Sequence, residues 1–185
     1  MANKKDRERF ERMMQGHLDA AYNLALWLVR EPAEAEDIVQ TAYMRAFEHF
    51  ATFNGGNAAG WILTIVRNTA YNWLNKQKRN SNLVSLDDIL LNNDSFQLAD
   101  TNTMTPEEIV TAAAGGSRLM ELMERLPVEF REVLFLRELE GYSYKEIAEI
   151  TQVPKGTVMS RLSRARGLMQ KMLTDQQKRK HGSGM

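Results

Sequence analysis

Ser143–Leu168 reads SYKEIAEITQVPKGTVMSRLSRARGL, and this stretch decides the fold. Ser143 followed three residues later by Glu146 is a capping-box start, each side chain placed to satisfy an orphan N–H of a first helical turn. Ile147, Ala148 and Ile150 give that helix an apolar face. Thr151–Val153 interrupt it, and Pro154 suits the first position of a second helix, where its missing N–H costs nothing. In that second helix Val158, Leu162, Ala165, Met169 and Met172 recur at helical spacing and form one inward stripe. Lys155, Thr157, Met159, Ser160, Arg161, Ser163, Arg164 and Arg166 lie off it. No acidic residue occurs between Pro154 and Lys171. A helical hairpin with a solvated basic face shares some of these features. The cap, the breaker, the proline and the one-sided charge together favour a helix-turn-helix, whose second helix enters the major groove.

The 185-residue chain is long enough for one sizeable core or two small ones, with 43% hydrophobic and 26% charged residues. There is no cysteine, which excludes disulfides, thiolate zinc sites and a cysteine nucleophile. His17, His49 and His181 stand far apart, so no metal site is expected. The charged start, MANKKDRERFERMM, lacks an apolar signal core, and no apolar run approaches a membrane span. These features predict a cytoplasmic protein without membrane insertion.

A formal net charge of zero is unusual for a DNA-binding protein, but the charges are sorted along the chain. Residues 49–86 hold no Asp or Glu yet carry Arg67, Lys76, Lys78 and Arg79. Residues 80–117 hold no Lys or Arg yet carry Asp87, Asp88, Asp94, Asp100, Glu107 and Glu108. Two basic segments flank an acidic one.

Outward from the motif, the pattern is helical throughout. Residues 5–30 form a first helical region, ended at Glu31-Pro32. A second helix over about Ala33–Phe50 turns Ile38, Val39, Ala42, Tyr43, Ala46 and Phe47 inward. Its other face, with Asp37, Gln40, Thr41, Met44 and Arg45, reads as solvated surface. Thr52–Ala59 is a Gly/Asn-rich loop that lacks the GxxxxGK[ST] phosphate cradle. A third helix, about Ala59–Lys78, places Ile62, Ile65, Val66, Thr69, Ala70, Trp73 and Leu74 in the core. Trp61, Arg67, Asn68, Tyr71, Asn72, Lys76 and Arg79 are candidates for its surface, and aromatics among cations suit unpaired bases and phosphates. The residues alone leave Trp61 open between core and surface. Asn80–Ser117 has linker composition, and Thr105-Pro106-Glu107-Glu108 suits a short helix start. Leu119, Leu122, Met123 and Leu126, then Phe130, Val133, Leu134, Leu136 and Leu139, pattern two more helices, the second closed by Gly141. The tail from Thr174 is polar and expected to fray. No internal repeat appears.

Three blocks, EAEDIVQTAYMRAFEHF, WILTIVRNTAYNWL and LPVEFREVLFLRELEGYSYKEIAEITQVPKGTVMSRLSRAR, occur in the order that resembles the bacterial extracytoplasmic-function (group IV) sigma factors of the sigma-70 family. The resemblance spans about residues 8–173. It implies an all-α chain of two small helical domains: region 2 over residues 1–80 and a region 4 helix-turn-helix over 118–173. A flexible acidic linker, 81–117, joins them, and 174–185 is a tail. The implied function is an alternative sigma factor, without catalysis or cofactor, that directs core RNA polymerase to promoters. Its implied partners are the clamp helices of the polymerase's largest subunit, the flap region, promoter DNA and an anti-sigma factor.

Carried onto this chain, the family's polymerase-docking face falls on Asp37, Gln40, Thr41, Met44 and Arg45, overturning the solvated-surface reading. The minus-ten contacts fall on the loop Phe53, Asn54, Gly55, Gly56 and Asn57, which captures a flipped base, and on Trp61, Asn68, Asn72, Lys76 and Arg79. For the minus-thirty-five element, Ser160, Ser163 and Arg164 approach base edges, while Lys155, Thr157, Arg161 and Arg166 hold phosphates. Met159 stands where many relatives carry Arg or Lys, and Ser163 where some carry an aromatic, so base preference departs there. The acidic linker resembles the segment in the RNA-exit path, where Asp87, Asp88 and Asp94 would stand in for RNA phosphates. With about five phosphate contacts, one such domain loses roughly four to five decades of affinity per decade of salt. Tethering on polymerase restores effective concentration, so a neutral total is workable. A free-standing dimeric helix-turn-helix regulator is the competing reading, and it leaves the first eighty residues without a role.

Overall fold

The computed structural model describes residues 4–81 and 121–182, with side chains as far as Asp175. The expectations for the acidic linker, the helix start at Thr105 and Leu119 lie outside the described residues. The described residues are helical or in turns, with no strand among them. In chain order they form α1 (Lys4–Gln15), α2 (Leu18–Val29), α3 (Pro32–Glu48), a 3-10 turn (Phe50–Thr52) and α4 (Ala58–Ser81). Beyond the break come a helical turn at 121–124, α5 (Val128–Leu134) running into a π-helical turn (Phe135–Leu139), α6 (Tyr144–Thr151) and α7 (Lys155–Gly182).

The first helical region of the sequence splits in two. Gly16 falls where a continuous helix would lose about 1 kcal/mol relative to alanine, and the chain turns there, with the His17 N–H on the Met14 carbonyl. The turn lets α1 fold back, so that Phe10 packs edge-on against Tyr43, Phe47 and Phe50. The Tyr43 hydroxyl donates to the Met14 carbonyl, and burial pushes its pKa up to about 12. Helix α2 ends in a left-handed cap at Arg30, and α3 starts with Pro32 in its first turn. Small residues buried on these helices, Ala21, Ala25, Ala42, Ala46 and Ala70, let α2, α3 and α4 approach closely.

In the second half α5, α6 and α7 enclose Phe130, Val133, Ile147, Ile150, Val158, Leu162 and Ala165. The Glu140 N–H bonds to the Phe135 carbonyl, an i→i+5 closure that widens the last turn of α5. This corrects one expectation: the wide turn carries Leu139 off the core face, leaving it 50% exposed. Gly141 follows at φ 73°, a left-handed conformation that suits glycine. Helix α7 continues to Gly182, through the polar tail that was expected to fray.

The two halves are docked. Helix α2 lies along α5, α4 lies along α6, and the buried apolar residues run as one cluster from Phe10 to Leu173. Trp27 of α2 meets Phe135 across this seam, ring centroids 6.1 Å apart. Two adjacent charges of α5 enter it. The Arg131 Nη2 donates to the Leu28 carbonyl near the end of α2, where carbonyl dipoles favour a cation. Glu132, 0% exposed, accepts from Arg67 Nε at 2.6 Å and from the Tyr71 hydroxyl at 3.1 Å, both on α4. The Arg67 guanidinium also lies over the Tyr71 ring at 4.3 Å. Arg67 and Tyr71, candidates for the surface, are therefore covered by the second half: the Arg67 side chain is only 13% exposed. Burial pushes the Glu132 carboxyl above the usual carboxylate range, against the opposing pull of Arg67.

Candidate nucleic-acid interface

The helix-turn-helix is built as its residue types dictate. The Ser143 N–H donates to Glu146 Oε2 at 2.8 Å, and the Glu146 N–H donates back to Ser143 Oγ at 3.3 Å. These bonds hold the exposed Glu146 carboxyl below its usual value. Helix α6 stops at Thr151 because Gln152 turns left-handed, φ 55°, with its N–H on the Ala148 carbonyl. The Pro154 carbonyl then accepts from the Thr157 and Val158 N–H groups, so Pro154 sits just before α7 rather than at its first position. No acidic residue occupies that first turn, which leaves the positive end of the helix available to an anion.

Along α7 the stripe Val158, Leu162, Ala165 and Met169 is buried, as the periodicity predicts. Lys155 and Met159 stand exposed, and Thr157, Ser160, Ser163 and Arg164 are half-buried beside them. Ser160 Oγ turns back to the Thr157 carbonyl at 3.0 Å. One of the two remaining arginines is paired within the protein. Arg166 Nη2 pairs with Glu138 Oε1 at 2.7 Å. Arg161 lies close enough to Glu132 to favour its carboxylate, and its Nη1 is buried without a hydrogen-bond partner among the described residues.

In the first half, the loop after the 3-10 turn passes through Gly55 at φ 79° and delivers Asn57 to the start of α4. Asn57 Oδ1 accepts from the Gly60 N–H at 3.0 Å, and the Asn57 carbonyl accepts from the Trp61 N–H. Asn57 is thus the N-cap of α4, a role the sequence reading did not assign although Asn is among the favoured N-cap residues. A side chain at Gly60 would meet Asn57 Nδ2 at 2.9 Å, so glycine there leaves room for the cap. Phe53 stacks on Trp61, centroids 4.6 Å apart. Asn54, Gly55 and Gly56 are exposed at the loop tip. From Trp61 the face of α4 continues through Asn68, half-buried, to Asn72, Lys76 and Arg79, all exposed.

On α3, Asp37, Gln40, Thr41, Met44 and Arg45 fall at i, i+3, i+4, i+7 and i+8 and are exposed together, Met44 at 64%. Arg45 Nη1 donates to Thr69 Oγ1 of α4 at 3.3 Å. A groove of about 200 Å³ runs between the two helices, lined by Asp37, Thr41, Arg45, Asn72, Trp73 and Lys76 among others. Among the described residues no cluster of potential metal ligands occurs, and no helix is long and apolar enough to cross a membrane.

The sigma-70 region 2 family model matches residues 13–80, and the sigma-70 region 4 model matches residues 117–169. The RNA polymerase sigma-H factor of Pseudomonas aeruginosa is 30% identical over 171 residues, covering 91% of this chain and 88% of that protein. The ECF RNA polymerase sigma-E factor of Escherichia coli is 35% identical over 134 residues, 72% of this chain and 70% of that one. The chain belongs to the ECF sigma factors. Among solved structures, the sigma factor RpoE of Bartonella quintana, in complex with the anti-sigma factor NepR, matches with a TM-score of 0.63 and 26% identity, covering 90% of this chain and 98% of that one. CnrH, solved with the cytosolic domain of CnrY, shares the fold at a TM-score of 0.60 and 18% identity, covering 91% of this sigma factor and 90% of CnrH.

Proposed function

We propose that this ECF sigma factor works in the cytoplasm, docks on the clamp helices of core RNA polymerase through α3, and divides promoter reading between α4 and α7. Asp37, Gln40, Thr41, Met44 and Arg45 form the docking patch, with the Met44 thioether as its apolar centre. The loop Phe53–Asn57 with Trp61 takes the flipped minus-ten base, and Asn68, Asn72, Lys76 and Arg79 hold the opened strand. Stacking is tolerant of base identity and offsets the few kcal/mol that unstacking costs. The polar face of α7, half-buried apart from Lys155 and Met159, reads the minus-thirty-five element. Ser160, Ser163 and Arg164 face base edges, and Lys155, Thr157, Arg161 and Arg166 face phosphates. Arg164 is the specificity residue, since a guanidinium fork matches the guanine edge.

One observation carries this reading: region 2 and region 4 stand in one chain, and the implied docking patch is exposed as a single helical face. The reaction chemistry belongs to the polymerase; the sigma factor, a DNA-binding initiation factor by family, supplies position. An anti-sigma factor is the proposed regulator, as RpoE has in NepR.

Promoter-library transcription with purified core polymerase, with and without this protein, tests the reading. Initiation at a shared two-part motif, relaxed by Arg164→Ala, is the expected result. Symmetric sites bound by the protein alone, with no retention on polymerase, would favour the free-standing regulator instead.

A further inference from the structure

Met159 is among the large apolar side chains that stay exposed, at 50%, and it stands on the polar side of α7. The core does not account for it. The buried stripe of α7 runs through Val158, Leu162, Ala165 and Met169, and Met159 is turned about 100° from Val158. Its surface neighbours at i−3 and i+4 are Gly156 and Ser163, both short, with Ser160 beside them. The Ser160 hydroxyl donates to the Thr157 carbonyl at 3.0 Å, so its proton is used within the helix. A side chain built at Gly156 would meet nothing within 4 Å, so packing inside the protein does not require glycine there. The start of α7 is thus a low polar surface from which one thioether protrudes.

We propose that Met159 is a specificity residue that reads the 5-methyl group of a thymine in the minus-thirty-five element. The inference rests on the sigma-factor reading and adds an apolar contact to a face otherwise assigned polar ones. In the major groove the base edges offer hydrogen-bond donors, acceptors and one apolar group, the thymine methyl. A thioether donates nothing and accepts weakly, so against any other edge it strips water from polar atoms and returns no hydrogen bond. Against the methyl it loses nothing and buries apolar surface. Its unbranched, adaptable chain suits a contact whose exact depth varies. The place in the helix is also right, because residues near the start of a recognition helix are the ones that meet base edges.

Met159 and Arg164 then divide the readout by chemistry. They are five residues apart, about 7.5 Å along the helix axis. That exceeds the roughly 3.4 Å between successive base pairs, so the two address different pairs. Arg164 offers a fork of donors to a guanine edge, and Met159 excludes every edge without a methyl. One works by attraction and the other mainly by the cost of a wrong base.

Promoter-library transcription supplies the motif, and each thymine of its minus-thirty-five element, on either strand, is then replaced singly by deoxyuridine. That exchange removes the methyl and leaves the hydrogen-bonding edge as it was. Closed-complex affinity is measured with the full chain on core polymerase. One position is expected to lose about fourfold, the effect of leaving one methyl group in water. Met159→Ala is expected to bind the thymine promoter about fourfold more weakly and to make that position indifferent to the methyl. Met159→Leu, which keeps the apolar volume, should retain most of the methyl dependence. Met159→Gln, which keeps length and helix propensity but not the apolar end, should lose it and so guards against an effect of truncation alone. A motif without thymine, a parent protein insensitive to every exchange, or a methyl dependence that survives both Met159→Ala and Met159→Gln overturns the proposal. If polymerase neither retains the protein nor initiates, the sigma-factor reading fails, while the same exchanges in the sites bound by the protein alone still decide the methyl contact.

Discussion

Phe53 lies flat against Trp61, their ring planes 26° apart, so the loop and the first turn of α4 present a double aromatic surface. The Trp61 backbone N–H donates to the Asn57 carbonyl, which fixes the residue in the first turn of α4. A base that leaves the duplex would meet a preformed platform. Trp61→Ala is expected to weaken open-complex formation by about 1–3 kcal/mol, roughly 5- to 150-fold, with closed-complex binding little changed. Permanganate reactivity of minus-ten thymines in the polymerase complex checks this. Equal loss of closed and open complexes would place Trp61 in the core instead.

Arg164 and Lys155 are predicted to fail differently. Arg164→Ala should cost about 1–3 kcal/mol at one promoter position and relax the base preference there. Lys155→Ala should weaken all promoters alike and reduce the salt slope of binding by about one unit. Affinity measured on a promoter panel at several salt concentrations separates the two.

Arg166 is shared between Glu138 and any phosphate, because its Nη2 is paired at 2.7 Å. A partly exposed pair of this kind contributes about 0–1 kcal/mol. Glu138→Gln is therefore expected to leave the melting temperature within about 2 °C and to tighten promoter binding modestly at low salt. Unchanged binding together with a large loss of stability would mean that the pair serves the fold rather than DNA.

The capping box of α6 sets a stability prediction with a definite pH sign. Ser143→Ala should cost about 1 kcal/mol, or roughly 2–4 °C in melting temperature for a chain of this size. Glu146 is held below its usual 4.5 by the Ser143 hydrogen bonds, so its ionised form is the one that stabilises the helix. That contribution is present above the usual value and fades as pH falls through the lowered one. Glu146→Gln should accordingly lower the melting temperature at pH 7 and converge with the parent in acid. A difference that persists at low pH would assign the effect to packing.

The helix-turn-helix was legible because every local cue agreed: Ser143 with Glu146, the stop after Thr151, Pro154, and the stripe from Val158 to Met169. The outward face of α3 was legible as a face, but its proposed role comes from the resemblance, because a mixed-charge surface looks the same whether or not it has a partner. What periodicity did not carry was the seam. Arg67 and Tyr71 looked like surface residues because nothing in α4 covers them; the group that does, Glu132, is 65 and 61 residues away in sequence. Arg131 and Glu132 sit between Phe130 and Val133, where the apolar rhythm drew attention past them. Leu139 was misplaced for a different reason. Helical spacing assumes 3.6 residues per turn, and the π turn at Phe135–Leu139 breaks that assumption without any glycine or proline to announce it.

The hydrogen bond from Arg45 to Thr69 makes one wall of two faces under the proposed reading, which gives Arg45 to the polymerase patch and Asn72, one helical turn from Thr69, to the opened strand. Two ligands that share a wall are thermodynamically coupled, and such coupling is reciprocal. Whatever factor polymerase adds to this protein's grip on the opened strand, the strand must return to its grip on polymerase. A promoter is then more than an address. By the same free energy with which it is recognised, it sets how long the sigma factor stays aboard.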